Sequence, residues 1–370
     1  MASKFRNKPL SQQAIVITGA SSGIGLATAR LASERGAKVL LVSRNEEELR
    51  KIVQQLRDRG GRAEYVVADV ADKQALEAAA GKAREAFGGF DAWVNDAGAS
   101  VIGEIERISL EDHRRVFETN YWGVVHGSLV AVREFKAHGG TLVNVGSVLS
   151  DRTMMLQGPY SASKFAVKAF TDALRMELER SGAPVNVTLV KPASIDTPFQ
   201  EHARNLLDAP GIRVPPPAYD PRVVARAILF VCENRRREIV VGFGGYAISL
   251  LGRLFPRLTD LAMEAVGYAA QTTDRAPRPG RADSLHQTKE SGTERSLTRP
   301  VAPVRKTSLL LEAQMHPAAT MAALAGLGAL AAGALAARRL GHGRPAFYDP
   351  RNLDAGRVAA AARRRLGAWT

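Results

Sequence analysis

Three residues of this chain stand at spacings that suit proton transfer to an oxygen: Ser147, Tyr160 and Lys164. A phenol has an ordinary pKa of about 10, and a neighbouring cation brings it toward neutrality, where it can act as both acid and base. In Tyr160-Ser161-Ala162-Ser163-Lys164 the phenol and the ammonium are four residues apart, so a helix places them on one face. Ser147, thirteen residues before Tyr160, offers a hydroxyl to a substrate oxygen. Such a trio fits a reaction in which a carbonyl becomes an alkoxide-like oxygen that must be polarised and protonated.

A hydride source is implied near the N-terminus. An apolar run at 14–18 leads into Thr18-Gly19-Ala20-Ser21-Ser22-Gly23-Ile24-Gly25, after which a helical pattern begins. Glycines there allow a tight turn and bring backbone N–H groups against a pyrophosphate, which the positive helix end favours. The second apolar run, 38–42, ends in Ser43-Arg44, where an NAD-selective site places a carboxylate on the ribose 2′-hydroxyl. A guanidinium pairs with a 2′-phosphate instead, so Arg44 points to NADP(H) rather than NAD(H).

With Gly-x3-Gly-x-Gly in the first turn and Ser-x12-Tyr-x3-Lys further on, the chain resembles the short-chain dehydrogenase/reductase family in its single-domain form, over roughly residues 10–245. The resemblance implies that Tyr160 is the general acid/base, that Ser147 orients the substrate oxygen, and that Lys164 lowers the tyrosine pKa and holds the nicotinamide ribose. It implies that Asn120, in Thr119-Asn120-Tyr121, anchors a proton-relay water. Cofactor contacts are implied for Thr18, Gly19, Ser21, Ser22, Gly23, Ile24 and Gly25, and for Asp69 and Val70 at the adenine. Asn95-Asp96-Ala97-Gly98 matches the family's Asn-Asn-Ala-Gly except at Asp96, which adds a charge, and Asn95, Ala97 and Gly98 carry over. Beside the nicotinamide, Pro192, Ile195 and Thr197 match Pro-Gly-x3-Thr, with Ala193 where glycine is expected. Dimer surfaces around Asn120 and Tyr160, and hence a homo-oligomer, follow from the same resemblance.

The elements needed to hold these groups are visible in the pattern. Apolar runs at 14–18, 38–42, 62–68, 91–95, 140–145, 184–190 and 238–241 alternate with helical segments at 24–34, 46–59, 73–87, 110–137 and 160–180. That alternation predicts an α/β, doubly wound Rossmann fold with a seven-stranded parallel sheet, plus a C-terminal extension. The Pro-rich segment 194–221 breaks the rhythm and covers the ligand crevice. Its Phe199, Leu206, Leu207, Ile212, Val214 and Tyr219 suggest an apolar pocket.

Domain limits are expected at 1–270 for the NADP-binding catalytic domain, 271–310 for a flexible linker rich in Pro, Arg, Ser and Thr, and 311–370 for a basic tail. Leu250, Leu254, Leu258 and Leu261 form a helical stripe, read as packing on the domain or else as a membrane-facing or lid surface. Residues 318–337 carry no charge and are long enough to span a bilayer, yet they are mostly Ala and Gly. Spanning, peripheral attachment and a soluble packing helix all remain open for them. Val358, Ala362, Leu366 and Trp369 beside arginines suggest an interfacial helix.

The net charge is +14, and residues 271–370 hold 16 Lys and Arg against 7 Asp and Glu. Aromatic interleaving is missing from that tail, which argues against nucleic acid and leaves membrane contact or plain solubility. Seven dispersed histidines give no metal-ligand spacing. One cysteine, Cys232, rules out an internal disulfide framework and suits a cytoplasmic setting with no signal peptide. The expected activity is that of a carbonyl reductase or alcohol dehydrogenase on an apolar, lipid-, steroid- or retinoid-like carbonyl or secondary alcohol. The alternative is a membrane-associated nucleotide sensor or scaffold on the same fold.

Overall fold

The computed structural model describes residues 7–207, 211–274, 283–288, 292–297 and 303–341. Two compact units are present, Met1–Met315 and His316–Thr370.

In the first unit seven strands form one parallel sheet: β1 (Ala14–Thr18), β2 (Lys38–Ser43), β3 (Ala63–Val67), β4 (Ala92–Asn95), β5 (Gly140–Val145), β6 (Val185–Pro192) and β7 (Glu238–Val241). The strand order is β3-β2-β1-β4-β5-β6-β7. Every residue of β1, β5 and β6 is buried, as expected of strands covered on both faces, and this is why they read as unbroken apolar runs. On one face Ile15, Ile17 and Val39 pack against Leu26 and Ala29 of α1 (Gly23–Glu34), against Leu49 and Ile52 of α2 (Glu46–Asp58), and against Val224 and Ile228 of the helix at Pro221–Glu233. On the other face Val16, Leu40 and Trp93 pack against Leu76 and Ala79 of α3 (Lys73–Phe87) and against Phe135 and Leu174.

Helix ends follow local chemistry. The Asn45 side chain accepts from Glu48 N at 3.1 Å, and three glutamates in the first turn of α2 suit its positive end. Asp72 caps α3 in the same way, and α3 stops at Gly88 in the left-handed region, φ 81°. The long helix expected over 110–137 is two helices, α4 (Leu110–Phe117) and α5 (Gly123–His138), joined by a π turn at Glu118–Trp122 that turns Asn120 inward. Next come α6 (Gly158–Arg180) and α7 (Pro221–Glu233), the latter capped by Asp220 with Pro221 in its first turn.

The segment with the leucine stripe is a helical hairpin, α8 (Phe243–Leu254) and α9 (Pro256–Gln271), broken before Pro256. Its small and polar residues Ser249, Gly252, Thr259, Gly267 and Gln271 face inward, while Leu254 and Leu258 are 62% and 66% exposed. A helical stripe marks one face without saying which way it points. Here close approach is made by glycines: a Cβ at Gly252 would meet the Arg152 side chain at 2.7 Å.

Residues 283–288, 292–297 and 303–308, inside the stretch expected as a flexible linker, lie on the first unit rather than apart from it. They are held by backbone bonds, ion pairs and the buried Leu285 side chain, which leave no mark in hydrophobic periodicity. The unit closes with α10 (Leu309–Met315), whose Leu311 and Met315 are buried and whose Gln314 amide bonds both Val240 N (2.9 Å) and Val240 O (2.8 Å), satisfying the open edge of β7. In the second unit α11 (Pro317–Gly341) contains, over Pro317–Leu335, a helix long and apolar enough to cross a membrane. The interfacial helix expected near Val358–Trp369 falls outside the described residues.

Candidate active site

The sheet order reverses between β1 and β4, and the crevice above their C-terminal ends is where an open α/β sheet binds ligands. The glycine turn after β1 touches the turn after β4 closely: Gly19 has φ 70°, and a Cβ on it would stand 2.8 Å from Ala97 Cα. Thr18 Oγ1 ties the same two turns, accepting from Asp96 N (3.1 Å) and Ala97 N (3.3 Å). From this crevice a cavity of about 480 Å³ runs along the strand ends to the start of α6.

Most of the residues expected at the site line that cavity. Gly19, Ser21, Ser22, Gly23 and Ile24 form one end with Arg44, Asp69 and Val70; Ala97 and Gly98 form its middle; Ser147, Tyr160, Lys164, Pro192, Ile195 and Thr197 form the other end. Four expected residues sit behind the wall and hold it. Thr18 acts as described. Gly25 leaves room for Gly19 O, which a Cβ would meet at 2.4 Å. Asn95 is buried in a network, accepting from Trp93 Nε1 (2.8 Å) and donating to Asn144 Oδ1 (2.9 Å) and Ser128 Oγ (3.2 Å). The Asn120 side chain accepts from Ala99 N (2.7 Å) and donates to Ala99 O (3.0 Å) and to Ser163 Oγ (2.9 Å).

At the chemical end, Ser147 follows β5 and caps a short turn, its Oγ accepting from Leu149 N at 3.0 Å. Tyr160 lies in the first turn of α6 and Lys164 one turn on, its Nζ 5.7 Å from the phenol ring centroid and donating to Val145 O at 2.8 Å. Burial pushes the Tyr160 phenol up to about 12; a hydrogen bond from Ser147 opposes this and the nearby Asp96 carboxyl adds to it. Burial brings Lys164 down to about 8, with Asp96 acting against the fall. Asp96, where the family pattern has asparagine, is itself pushed up to about 8 by burial, against the Lys164 charge and a hydrogen bond from Gly25 N. In the protein alone, burial therefore outweighs the expected lowering of the tyrosine pKa. The Phe199 ring packs 5.4 Å from the Tyr160 ring.

Ala193 keeps its turn because glycines face it. Cβ atoms on Gly242 and Gly245 would stand 2.7 and 2.9 Å from the Ala193 methyl.

The nucleotide end holds a second cation that sequence spacing did not reveal. Arg115 of α4 donates to Asp69 Oδ2 at 2.6 Å, and its charge joins burial in lowering the pKa of Arg44. Burial acts to raise the Asp69 carboxyl, but the Ala71 N–H and Arg115 outweigh it and hold it low. Two guanidiniums and a glycine turn at a helix start as donors, with one carboxylate as acceptor, suit a phosphorylated dinucleotide.

The sequence profile of the family described as short chain dehydrogenase matches residues 13–207. The chain belongs to that family. This short-chain dehydrogenase is 42% identical over 331 residues to the uncharacterized oxidoreductase YxnA of Bacillus subtilis (strain 168), covering 89% of this chain and 92% of the relative. That match is longer than residues 1–270 can supply, so it enters the extension. It is 33% identical over 195 residues to a 3beta-hydroxysteroid dehydrogenase of Mediterraneibacter gnavus, covering 52% of this chain and 69% of that one. An alcohol dehydrogenase from the archaeon Thermococcus sibiricus, solved in complex with 5-hydroxy-NADP, superposes with a TM-score of 0.53 at 25% identity, covering 62% of this chain and 95% of that one. The protein is an oxidoreductase of the short-chain type with the doubly wound fold expected of it.

At the far end of the cavity the lining is mixed but largely apolar. Phe199, Val214 and Tyr219 contribute to it as expected, whereas Leu206, Leu207 and Ile212 pack in small clusters beside it. The hairpin adds Ile248, Met263 and Val266. Gln271, at the end of α9, accepts from Gln157 Nε2 at 2.6 Å and donates to Met155 O at 3.0 Å, tying the hairpin to the turn that starts α6.

Proposed function

We propose that the protein reduces an apolar carbonyl, or oxidises the matching secondary alcohol, with NADP(H). The reading is carried by one cavity with Ser147, Tyr160 and Lys164 at one end and Arg44 and Asp69 at the other, Asp69 being backed by Arg115. Gly19 to Ile24 would hold the pyrophosphate, Arg44 and Arg115 the 2′-phosphate, Asp69 and Val70 the adenine, and Lys164, Ile195 and Thr197 the nicotinamide end. When bound, the cofactor supplies the hydride that adds to the carbonyl carbon. The Tyr160 hydroxyl gives its proton to the carbonyl oxygen, so the alcohol forms with charge balanced. Ser147 donates a hydrogen bond to that oxygen, and the Lys164 ammonium stabilises the phenolate left behind. Asn120 holds the π turn and Ser163 under the tyrosine, the position from which a relay water would be anchored.

Ile248, Met263 and Val266 favour a hydrophobic substrate, as does the likeness to a 3beta-hydroxysteroid dehydrogenase. The apolar helix Pro317–Leu335 favours attachment to a membrane. Purified protein mixed with NADPH and a panel of alkyl and polycyclic ketones should consume NADPH, and Tyr160→Phe should not. No consumption on any ketone, or equal consumption by Tyr160→Phe, overturns the reading. Faster turnover of small polar carbonyls overturns the substrate class.

A further inference from the structure

The nucleotide end of the cavity is roofed by the chain's own extension. Residues 283–288 lie over the ends of β2 and β3, with Ser284 and Thr288 in the cavity wall. Their carbonyls face the two cations: Arg44 donates to Ser284 O (2.5 Å) and Leu285 O (3.4 Å), and Arg115 Nε to Leu285 O (3.0 Å). The Leu285 side chain, 1% exposed, fills a small apolar pocket with Val101, Ile108 and Val116.

Residues 292–297 then cross the glycine turn itself. Gly292 N donates to Ser21 O at 2.9 Å, and Gly23 N donates to Thr293 O at 3.0 Å. Just beyond, Glu294 is clasped between Arg30 (2.9 Å) and Arg222 (2.9 and 3.3 Å), its side chain 12% exposed. Arg295 pairs with Asp220 at the cap of α7. The crossing is thus anchored by an apolar plug on the α4 side and by an ion cluster on α1 and α7.

Carbonyl oxygens here occupy the donors that phosphate oxygens need: the guanidinium of Arg44 and an N–H of the glycine turn. A bound nucleotide would take these two contacts from the strap, whose anchors at Leu285 and Glu294 lie outside them and can still hold it over the adenosine end, so entry and exit both call for release of an anchor. We propose that residues 283–288 and 292–297 are a gate on nucleotide exchange, one that opens by releasing an anchor and closes over the adenosine end. The proposal rests on the nucleotide reading given above. It treats the extension as part of the cofactor site and not as a tether.

Loosening either anchor raises the population of the open gate, so nucleotide enters and leaves faster together. Loss of the charged contacts of Glu294 is expected to raise both rates about tenfold or more. The test is stopped-flow NADPH fluorescence on the full chain, comparing wild type with Glu294→Ala and Leu285→Ala, while hydrogen exchange at the Gly292 and Gly23 amides reports the gate without nucleotide. The expected result is faster association and dissociation in both variants and faster amide exchange, with exchange in β1 and β5 unchanged. NADPH binding at wild-type rates in both variants overturns the gate alone. Faster dissociation with unchanged association also overturns it, leaving a simple wall. Absence of NADPH binding in every protein overturns the nucleotide reading and the gate with it.

Discussion

The charge at the nucleotide end makes cofactor choice a quantitative matter. Arg44, Arg115 and Asp69 together carry one net positive charge, and a 2′-phosphate brings about two negative ones. Replacing Arg44 by Met removes that surplus and at least one charge-assisted hydrogen bond, worth roughly 1.5–3 kcal/mol. At 1.4 kcal/mol per factor of ten, NADPH affinity should fall about 10- to 100-fold. NADH lacks the phosphate, so its affinity should change only through the Ser284 and Leu285 carbonyls that Arg44 also holds, a change both nucleotides share. The informative quantity is therefore the ratio of the two Kd values from parallel fluorescence titrations, which should collapse toward one. Arg115→Met is expected to act differently. It also strips Asp69 of its 2.6 Å partner and so weakens both nucleotides. A preference for NADPH that survives Arg44→Met intact would refute this reasoning.

Three further outcomes follow from the geometry. Lys164 is brought to about 8 by burial, so kcat/KM for ketone reduction should decline as pH rises through that value; the Asp96 charge acts to raise Lys164, so Asp96→Asn should move the declining limb to lower pH, and a limb that stays or moves up contradicts the coupling. A Cβ at Gly127 would stand 2.2 Å from Asn95 Oδ1 and 2.8 Å from Trp93 Nε1, so Gly127→Ala should cost about 2–4 kcal/mol by urea unfolding, from overpacking and the broken bond together; a loss under about 0.5 kcal/mol would show that the network yields. Leu254→Asp with Leu258→Asp should leave the unfolding midpoint nearly unchanged, since both side chains are exposed, while lowering recovery of the protein with sedimented vesicles; unaltered recovery removes the hairpin from any membrane contact.

Fold and chemistry were legible where burial or turn geometry writes directly into residue type. Strands β1 and β5 begin and end where the apolar runs do, because central parallel strands have no exposed face to interrupt them. Tyr160 and Lys164 met as expected because a helix fixes the i to i+4 relation. The break at Glu118–Trp122 was not legible, since that turn contains neither Pro nor Gly and its π geometry comes from tertiary bonds to Asn120. Arg115 was hidden for a similar reason: it belongs to the site only because α4 leans toward Asp69 across the chain fold. Composition made 271–310 look free of structure, yet Ser284, Gly292 and Glu294 bind through carbonyls, amides and charges that hydrophobic patterning cannot register.

The buried pair of glutamines has a mechanical consequence. Gln157 immediately precedes α6, three residues before Tyr160, and Gln271 ends the hairpin whose leucines face outward. A push on the outer surface of that hairpin is transmitted, through two side-chain amides, to the first turn of the helix that carries Tyr160. Whatever the leucines rest against then becomes a lever on where the phenol stands, so the reaction rate can register the hairpin's surroundings without any ligand entering the cavity.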